Sequence, residues 1–252
     1  MTNLERELAW EGCLNVRDLG GHPTGDGGET RYGRIVRADS IRLLTDSGWR
    51  ALLDYGIRTV VDLRGSHELE DDPPGELPVD VVHVPFMEAN ESEWRAIEVE
   101  LDAARDAAPD FPTSTRDVYL IFLERFRDNV AKALREVARA PDGAVVIHCV
   151  GGKDRTGLLS AFLLHLAGVS DEEIAADYAL SEARLLPRHE GWFAAAESEE
   201  ELERLRRIAQ CPHDAMLGVF EELRRRHGSV EGYLRSAGVS DEELELAGAR
   251  LR

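Results

Sequence analysis

The segment at residues 144–166 constrains this chain more than any other. Residues 144–148 (AVVIH) form an unbroken apolar run rich in β-branched side chains, residues 149–157 (CVGGKDRTG) form a glycine-bearing turn, and residues 156–166 read as a strongly apolar helix. A strand with no polar alternation belongs inside a sheet covered on both faces. A helix that follows such a strand at once belongs to a strand–helix crossover. The expected fold class is therefore α/β, with a short, mostly parallel central sheet flanked by helices. In this geometry the turn aims a row of backbone N–H groups, and the positive end of the helix, at one spot. Such a spot suits an oxyanion.

The flanking sequence supplies the rest of the sheet. Residues 34–38 (RIVRA) read as a short strand, 57–63 (IRTVVDL) as a strand buried on both faces, and 79–84 (VDVVHV) as another. Residues 45–55 have helical spacing of Trp49, Leu52 and Leu53, with a cap at Thr45 or Asp46 and Gly56 as the stop. Residues 15–21 (NVRDLGG), followed by Pro23, Gly25, Gly27 and Gly28, read as an irregular connection, and the polar stretch 65–78 reads as a loop. An acidic, Ala-rich helix is expected over 91–106 and is broken by Pro109 and Pro112. One long amphipathic helix is then expected over 114–139. Helices separated by glycine and proline follow to residue 252. The hexapeptide GVSDEE occurs at 168–173 and again at 238–243. It reads as a helix stop followed by a helix start, with Gly ending one helix and Ser capping the next. No linker divides the chain, so residues 1–252 are expected to form one domain.

Composition narrows the partners. Thirty Lys and Arg against 49 Asp and Glu leave a formal charge of −19, which disfavours nucleic acid and anionic lipid. The longest apolar stretch, 158–169, is twelve residues and contains Ser160 and His165, short of the ~20 that a spanning helix needs. The N-terminal residues carry charges where a signal peptide needs apolar side chains. Three scattered cysteines, Cys13, Cys149 and Cys211, suit a reducing compartment, so a cytoplasmic protein is expected. Cys211 and His213 with Cys13 lack metal-ligand spacing, so no metal is expected.

Two anion-binding patterns compete for the turn. A Walker A loop ending at Gly152 and Lys153 requires Gly at position 147 and Ser or Thr at 154, where the chain has Ile147 and Asp154. Cys-x5-Arg-Thr is satisfied by Cys149, Arg155 and Thr156. In that pattern the loop wraps a phosphate, a thiolate lies at its base, and the planar Arg fork takes two oxygens.

The decapeptide HCVGGKDRTG resembles the signature loop of cysteine-dependent protein tyrosine phosphatases. Its Lys and Asp before the Arg resemble the bacterial PtpB-like group of tyrosine and dual-specificity phosphatases, some of which act on phosphoinositides. Residues 15–21 (NVRDLGG), 57–64 (IRTVVDLR) with Glu68, and Asp177 with Tyr178 are similar to that group's secondary motifs in the same order. The resemblance implies a cysteine-phosphatase-like fold with a helical lid and a helical C-terminal tail. Helices around 91–112 and 181–210, with Trp94, Phe111, Trp192 and Phe193 in or near them, are the lid candidates. It also implies phosphomonoester hydrolysis through phosphocysteine, without cofactor. The expected substrate is a phosphotyrosine protein; the alternative is a phosphorylated lipid or small molecule, or broad dual specificity.

Each residue then has an expected role. Cys149 is the nucleophile, helped toward thiolate by a helix N-terminus and nearby cations. Arg155 clamps the phosphoryl oxygens, and the Thr156 hydroxyl lies near the sulfur. Val150, Gly151, Gly152, Lys153 and Asp154 contribute backbone N–H groups, the glycines allowing tight curvature. The sequence contains no Trp-Pro-Asp, so the resemblance points to Asp154 as general acid, with Asp62 and then Asp18 as alternatives. Lys153 adds charge beside the phosphate, which in the resembling group suits substrates bearing several phosphates. His148 orients the loop. Arg64 and Arg17 are supports paired with Asp62, Glu68 or Asp18. Two other classes share such a loop. A phosphoprotein-binding module would have lost Cys149 or Arg155, and a sulfur-transfer or arsenate-reducing enzyme would need an acceptor or a resolving cysteine.

Overall fold

The computed structural model of the chain describes residues 6–72 and 77–252. Its sheet has five strands: β1 (Arg17–Asp18), β2 (Ile35–Ala38), β3 (Ile57–Asp62), β4 (Asp80–His83) and β5 (Ala144–His148), in the spatial order β1-β2-β5-β3-β4. Strands β2, β5, β3 and β4 are parallel, and β1 closes one edge antiparallel. The apolar run of 144–148 occupies the centre, fully buried.

The two-residue period of β5 divides its side chains between two cores. Val145 and Ile147 join Ile35, Val61 and Leu63 in the larger core, which α5 (Arg127–Arg139) and α6 (Asp154–Leu166) cover. Ala144 and Val146 join Val36, Val60 and Ile57 in the smaller one, beneath Trp10 and Leu52 of α1 (Asp46–Asp54). Helix α1 begins as expected, with Thr45 Oγ1 accepting from Gly48 N at 3.2 Å, and Gly56 follows it at φ +93°.

Register aligns the strand ends. Ala38, His148 and Asp62 are direct neighbours across β2, β5 and β3, so the segments that follow leave the same edge of the sheet together. Open α/β sheets build their sites at that edge.

Several elements differ from the sequence expectation. Strand β4 is an outer strand with Val81 exposed, because β3 pairs with it on one side only; an apolar run does not distinguish an edge from a centre. Residues 65–78 are not all loop, since α2 (Ser66–Asp71) forms there, with Glu68 returning its carboxylate to Gly65 N at 2.6 Å. The irregular stretch at 15–21 contributes β1. The expected helix over 114–139 is two: α4 (Phe111–Arg125) and α5, broken at Phe126 with φ −115° and ψ 26°. Tyr119, Leu120 and Leu123 point into the main core, whereas Phe126 packs with Ile97 and Leu101 of α3 (Glu91–Ala107). The chain turns at Phe126 between these two cores, and no Gly or Pro marks the turn. Pro112 lies inside the first turn of α4, where a missing N–H costs nothing.

The remaining helices are α7 (Asp171–Ala195), α8 (Glu199–Ala209), α9 (His213–His227), α10 (Val230–Ser236) and α11 (Asp241–Ala249). Helix α7 runs through Pro187, with Leu185 and His189 buried on either side of it; burial there outweighs the lost hydrogen bond. Among the described residues no helix is long and apolar enough to cross a membrane.

Both GVSDEE copies are helix junctions. Gly168 and Gly238 have φ +90° and +85°, and Ser170 and Ser240 each accept from the N–H three residues on. Only the second closes a full capping box, with Glu243 accepting from Ser240 N at 2.8 Å. Replacing Ser240 with Ala should cost about 1 kcal/mol in urea denaturation, and Ser170→Ala, whose bond is longer at 3.4 Å, should cost less.

Candidate active site

The loop between β5 and α6 owes its shape to its carbonyls. Val150 O accepts from Ser40 N at 3.0 Å. Gly151 O and Gly152 O accept from Asn15 Nδ2 at 3.1 and 3.0 Å, and Gly152 O also accepts from Arg37 Nη2 at 2.7 Å. A trans peptide opposes its N–H to its C=O. Tying three successive carbonyls to the scaffold therefore turns the N–H groups of Gly151, Gly152 and Lys153 the other way. They join the unpaired first-turn N–H groups of α6, and the result is a concave array of donors.

Of the three loop glycines, one is required by geometry and a second is tightly enclosed. Gly152 has φ +63°, and a Cβ there would lie 2.4 Å from Ala38 O. A Cβ on Gly157 would come within 3.1 Å of the Tyr178 ring. Gly151 differs from expectation: its Cβ would meet only side-chain atoms, at 3.9 Å.

Beneath the loop lies a buried ionic cluster. Asp177 accepts from Arg17 Nε at 2.9 Å and from Arg37 Nη1 at 2.8 Å. Arg17 Nη1 donates onward to Asn15 Oδ1 at 2.6 Å, so one carboxylate orients both side chains that grip the loop. Burial alone would push the Asp177 carboxyl up; Arg17 and Arg37 more than reverse this and hold it far below the usual range. Asp39 fixes the other end of the cradle, accepting from Asn15 N at 2.9 Å and from Arg188 Nη2 at 2.6 Å. Arg17 thus pairs with Asp177, and not with Asp62, Glu68 or Asp18 as expected.

At the front, Cys149 is 2% exposed at the base of the loop. Arg155 is held by a two-pronged pair with Glu68, its Nη2 donating to Oε1 at 2.8 Å and its Nη1 to Oε2. Burial would lower the pKa of this guanidinium, but the charges of Cys149 and Glu68 outweigh it and raise it. The Thr156 hydroxyl is buried and has no hydrogen-bond partner among the described residues.

The carboxylates separate by environment. Asp62 is chelated by Arg64, with Nη2 at 2.8 Å and Nε at 3.1 Å, and lies 3.6 Å from His148 Nε2. Burial pushes its carboxyl up, yet His148 and Arg64 bring it below the usual range. Asp18 accepts from Gly20 N, Gly33 N and the Tyr55 hydroxyl. Asp154 is different: its side chain is 42% exposed, and Oδ1 accepts from the Tyr119 hydroxyl at 2.5 Å. His148 contacts Cys149 O through Nδ1 at 3.2 Å, and burial lowers its pKa. Lys153 gives hydrogen bonds to Ile208 O at 2.5 Å and Gln210 O at 3.4 Å at the C-terminus of α8, the negative end of that helix, and its Nζ lies 3.6 Å from Asp154 Oδ1.

Arg37 and Tyr119 escaped the sequence reading. An Arg inside a strand with buried neighbours is a signal for the first, since buried charge demands a partner. Tyr119 carries no such signal, because an aromatic on a helical stripe ordinarily means core.

Asp177→Asn should destabilise the fold by about 3–5 kcal/mol, because it leaves two buried guanidiniums undercompensated; urea denaturation at neutral pH measures this. Because its folded pKa is depressed, the stabilisation from Asp177 is complete above the unfolded carboxylate range and is lost as pH falls below it. The gap between wild type and variant should therefore narrow in acid.

Comparison with known proteins accords with this geometry. A family model described as "Tyrosine phosphatase family" matches residues 8–252. The chain is 29% identical over 229 residues to a tyrosine-protein phosphatase of Nostoc commune, covering 86% of this chain and 74% of that one. It is 28% identical over 270 residues to the triple specificity protein phosphatase PtpB of Mycobacterium tuberculosis, covering 93% and 94%. A match over nearly the whole chain, through the loop and the residues that hold it, makes this chain a member of the tyrosine phosphatase family of enzymes.

Proposed function

We propose that the chain hydrolyses phosphomonoesters through a phosphocysteine intermediate, with phosphotyrosine as its main substrate. What supports this reading is the loop itself: Cys149 is buried at its start, Arg155 six positions on is fixed by Glu68, and the carbonyls of residues 150–152 are tied to the scaffold; in this reading sulfur, guanidinium and the opposed N–H groups border one hollow. The phosphoryl dianion occupies that hollow, and Arg155 and the N–H groups take its non-bridging oxygens. Sγ of Cys149 forms a bond to phosphorus as the bond to the ester oxygen breaks. Asp154, the half-exposed carboxyl nearest the loop, gives its proton to the departing oxygen. A water then attacks phosphorus, Asp154 takes its proton, and Cys149 leaves as thiolate, stabilised by the helix N-terminus and the Thr156 hydroxyl. Asp62 and Asp18 are engaged by neighbouring donors, which favours Asp154 for this work.

The depth of Cys149 supports an aryl phosphate, which reaches further from its phosphorus than a serine phosphate does. Val150 on the loop and Ile208 at the end of α8 are exposed apolar side chains that suit a ring. Helix α8, tied to Lys153, acts as a cover for the hollow, with α7 beside it. One observation favours a broader range: Lys153 gives its charge to helix carbonyls that a second phosphate would replace, and the mycobacterial relative is named for triple specificity.

A panel of phosphotyrosine, phosphoserine and phosphoinositide substrates tests this. Cys149→Ser should abolish turnover while retaining vanadate binding by calorimetry. Asp154→Ala should lower kcat/KM for phosphotyrosine by about 10²–10⁴. Normal turnover in Cys149→Ser would falsify the mechanism, and a preference for phosphoinositides would reverse the substrate order.

A further inference from the structure

The two oxygens of Asp154 are not equivalent. Oδ1 accepts from Tyr119 at 2.5 Å and lies 3.6 Å from Lys153 Nζ, whereas Oδ2 has no hydrogen bond among the described residues. The Tyr119 hydroxyl is the donor in this bond, because Oδ1 accepts whether the carboxyl is ionised or carries its proton on Oδ2. Its own oxygen then accepts from the Tyr178 hydroxyl at 2.7 Å. Both phenols are buried, on α4 and α7, with their rings edge to face at 6.0 Å. Burial, and then the charge of Asp154, keep the Tyr119 hydroxyl protonated far above its ordinary range. The chain Tyr178–Tyr119–Asp154 thus runs from the core to the mouth of the loop in one direction.

We infer that Tyr119, backed by Tyr178, is a positioning residue for the acid step: by occupying Oδ1 it leaves Oδ2 as the oxygen that carries the proton. This rests on the reading of Asp154 as general acid. As the Sγ–P bond forms and the ester P–O bond breaks, the proton on Oδ2 passes to the departing oxygen. As water oxygen bonds to phosphorus and the S–P bond breaks, Oδ2 takes the water proton back. Tyr119 keeps its own proton throughout. A carboxyl free to rotate would present the tied oxygen and the proton-bearing oxygen interchangeably, and productive geometry would become rarer.

The test is the dependence of kcat/KM on the leaving group, which reports the phosphorylation of Cys149. Aryl phosphates whose phenols are strong bases need the proton; polyfluorinated ones hardly do. Tyr119→Phe should lower kcat/KM about tenfold for phenyl phosphate, less than the roughly 10²–10⁴ that loss of the acid itself costs, and far less for a polyfluorinated ester. Adding it to Asp154→Ala should cause no further loss. Tyr233→Phe is the control: it removes another buried phenol, which donates to Leu123 O of α4 at 2.7 Å, and it should leave the slope unchanged. A uniform loss across the series in Tyr119→Phe, while Asp154→Ala steepens the slope, overturns the inference and spares the acid assignment. An unchanged slope in Asp154→Ala overturns both. If Tyr119→Phe does not fold, Tyr178→Phe decides: a steeper slope supports the positioning role and an unchanged one refutes it.

Discussion

The loop keeps its shape because one buried carboxylate, Asp177, holds two guanidiniums in place. A ring of peptide N–H groups facing one point is an unfavourable arrangement in an empty protein, since aligned dipoles repel and nothing inside satisfies them. It persists because the opposite ends of the same peptides are bonded to Asn15, Arg37 and Ser40. Those donors are stiff in turn because Asp177 and Asp39 orient them. Electrostatic preorganisation at the front is thus supported by ion pairing behind it.

The charge distribution follows the same logic. The chain as a whole carries −19, yet cations are concentrated behind and beside the loop: Arg17, Arg37, Arg155 and Lys153. Each is matched by a carboxylate or by helix carbonyls, so positive charge is gathered around the loop without being left unpaired. Glu68 takes both terminal nitrogens of Arg155 and so fixes where that guanidinium sits.

Much of this was legible in the sequence because it is local. The apolar run at 144–148, the glycine turn and the following helix specify their own conformations. The strand candidates at 34–38 and 57–63 and the Thr45 cap follow from residue pattern alone. What escaped depends on distant partners. Nothing near Val81 says that no strand will pair beyond it. Nothing near Phe126 says that the chain must turn there to serve two cores. The role of Arg37 requires Asp177, 140 positions away, and Lys153 bonds carbonyls 55 and 57 residues later, at the end of α8.

Asp177 and Tyr178 are consecutive on α7, roughly 100° apart around its axis. One reaches the arginines under the loop, and the other reaches the phenol beside its mouth. A residue gained or lost between Ser170 and Asp177 would swing both side chains off their targets together. Length variation in this part of the chain must therefore fall outside that two-turn stretch, whatever the surface residues there can tolerate by substitution.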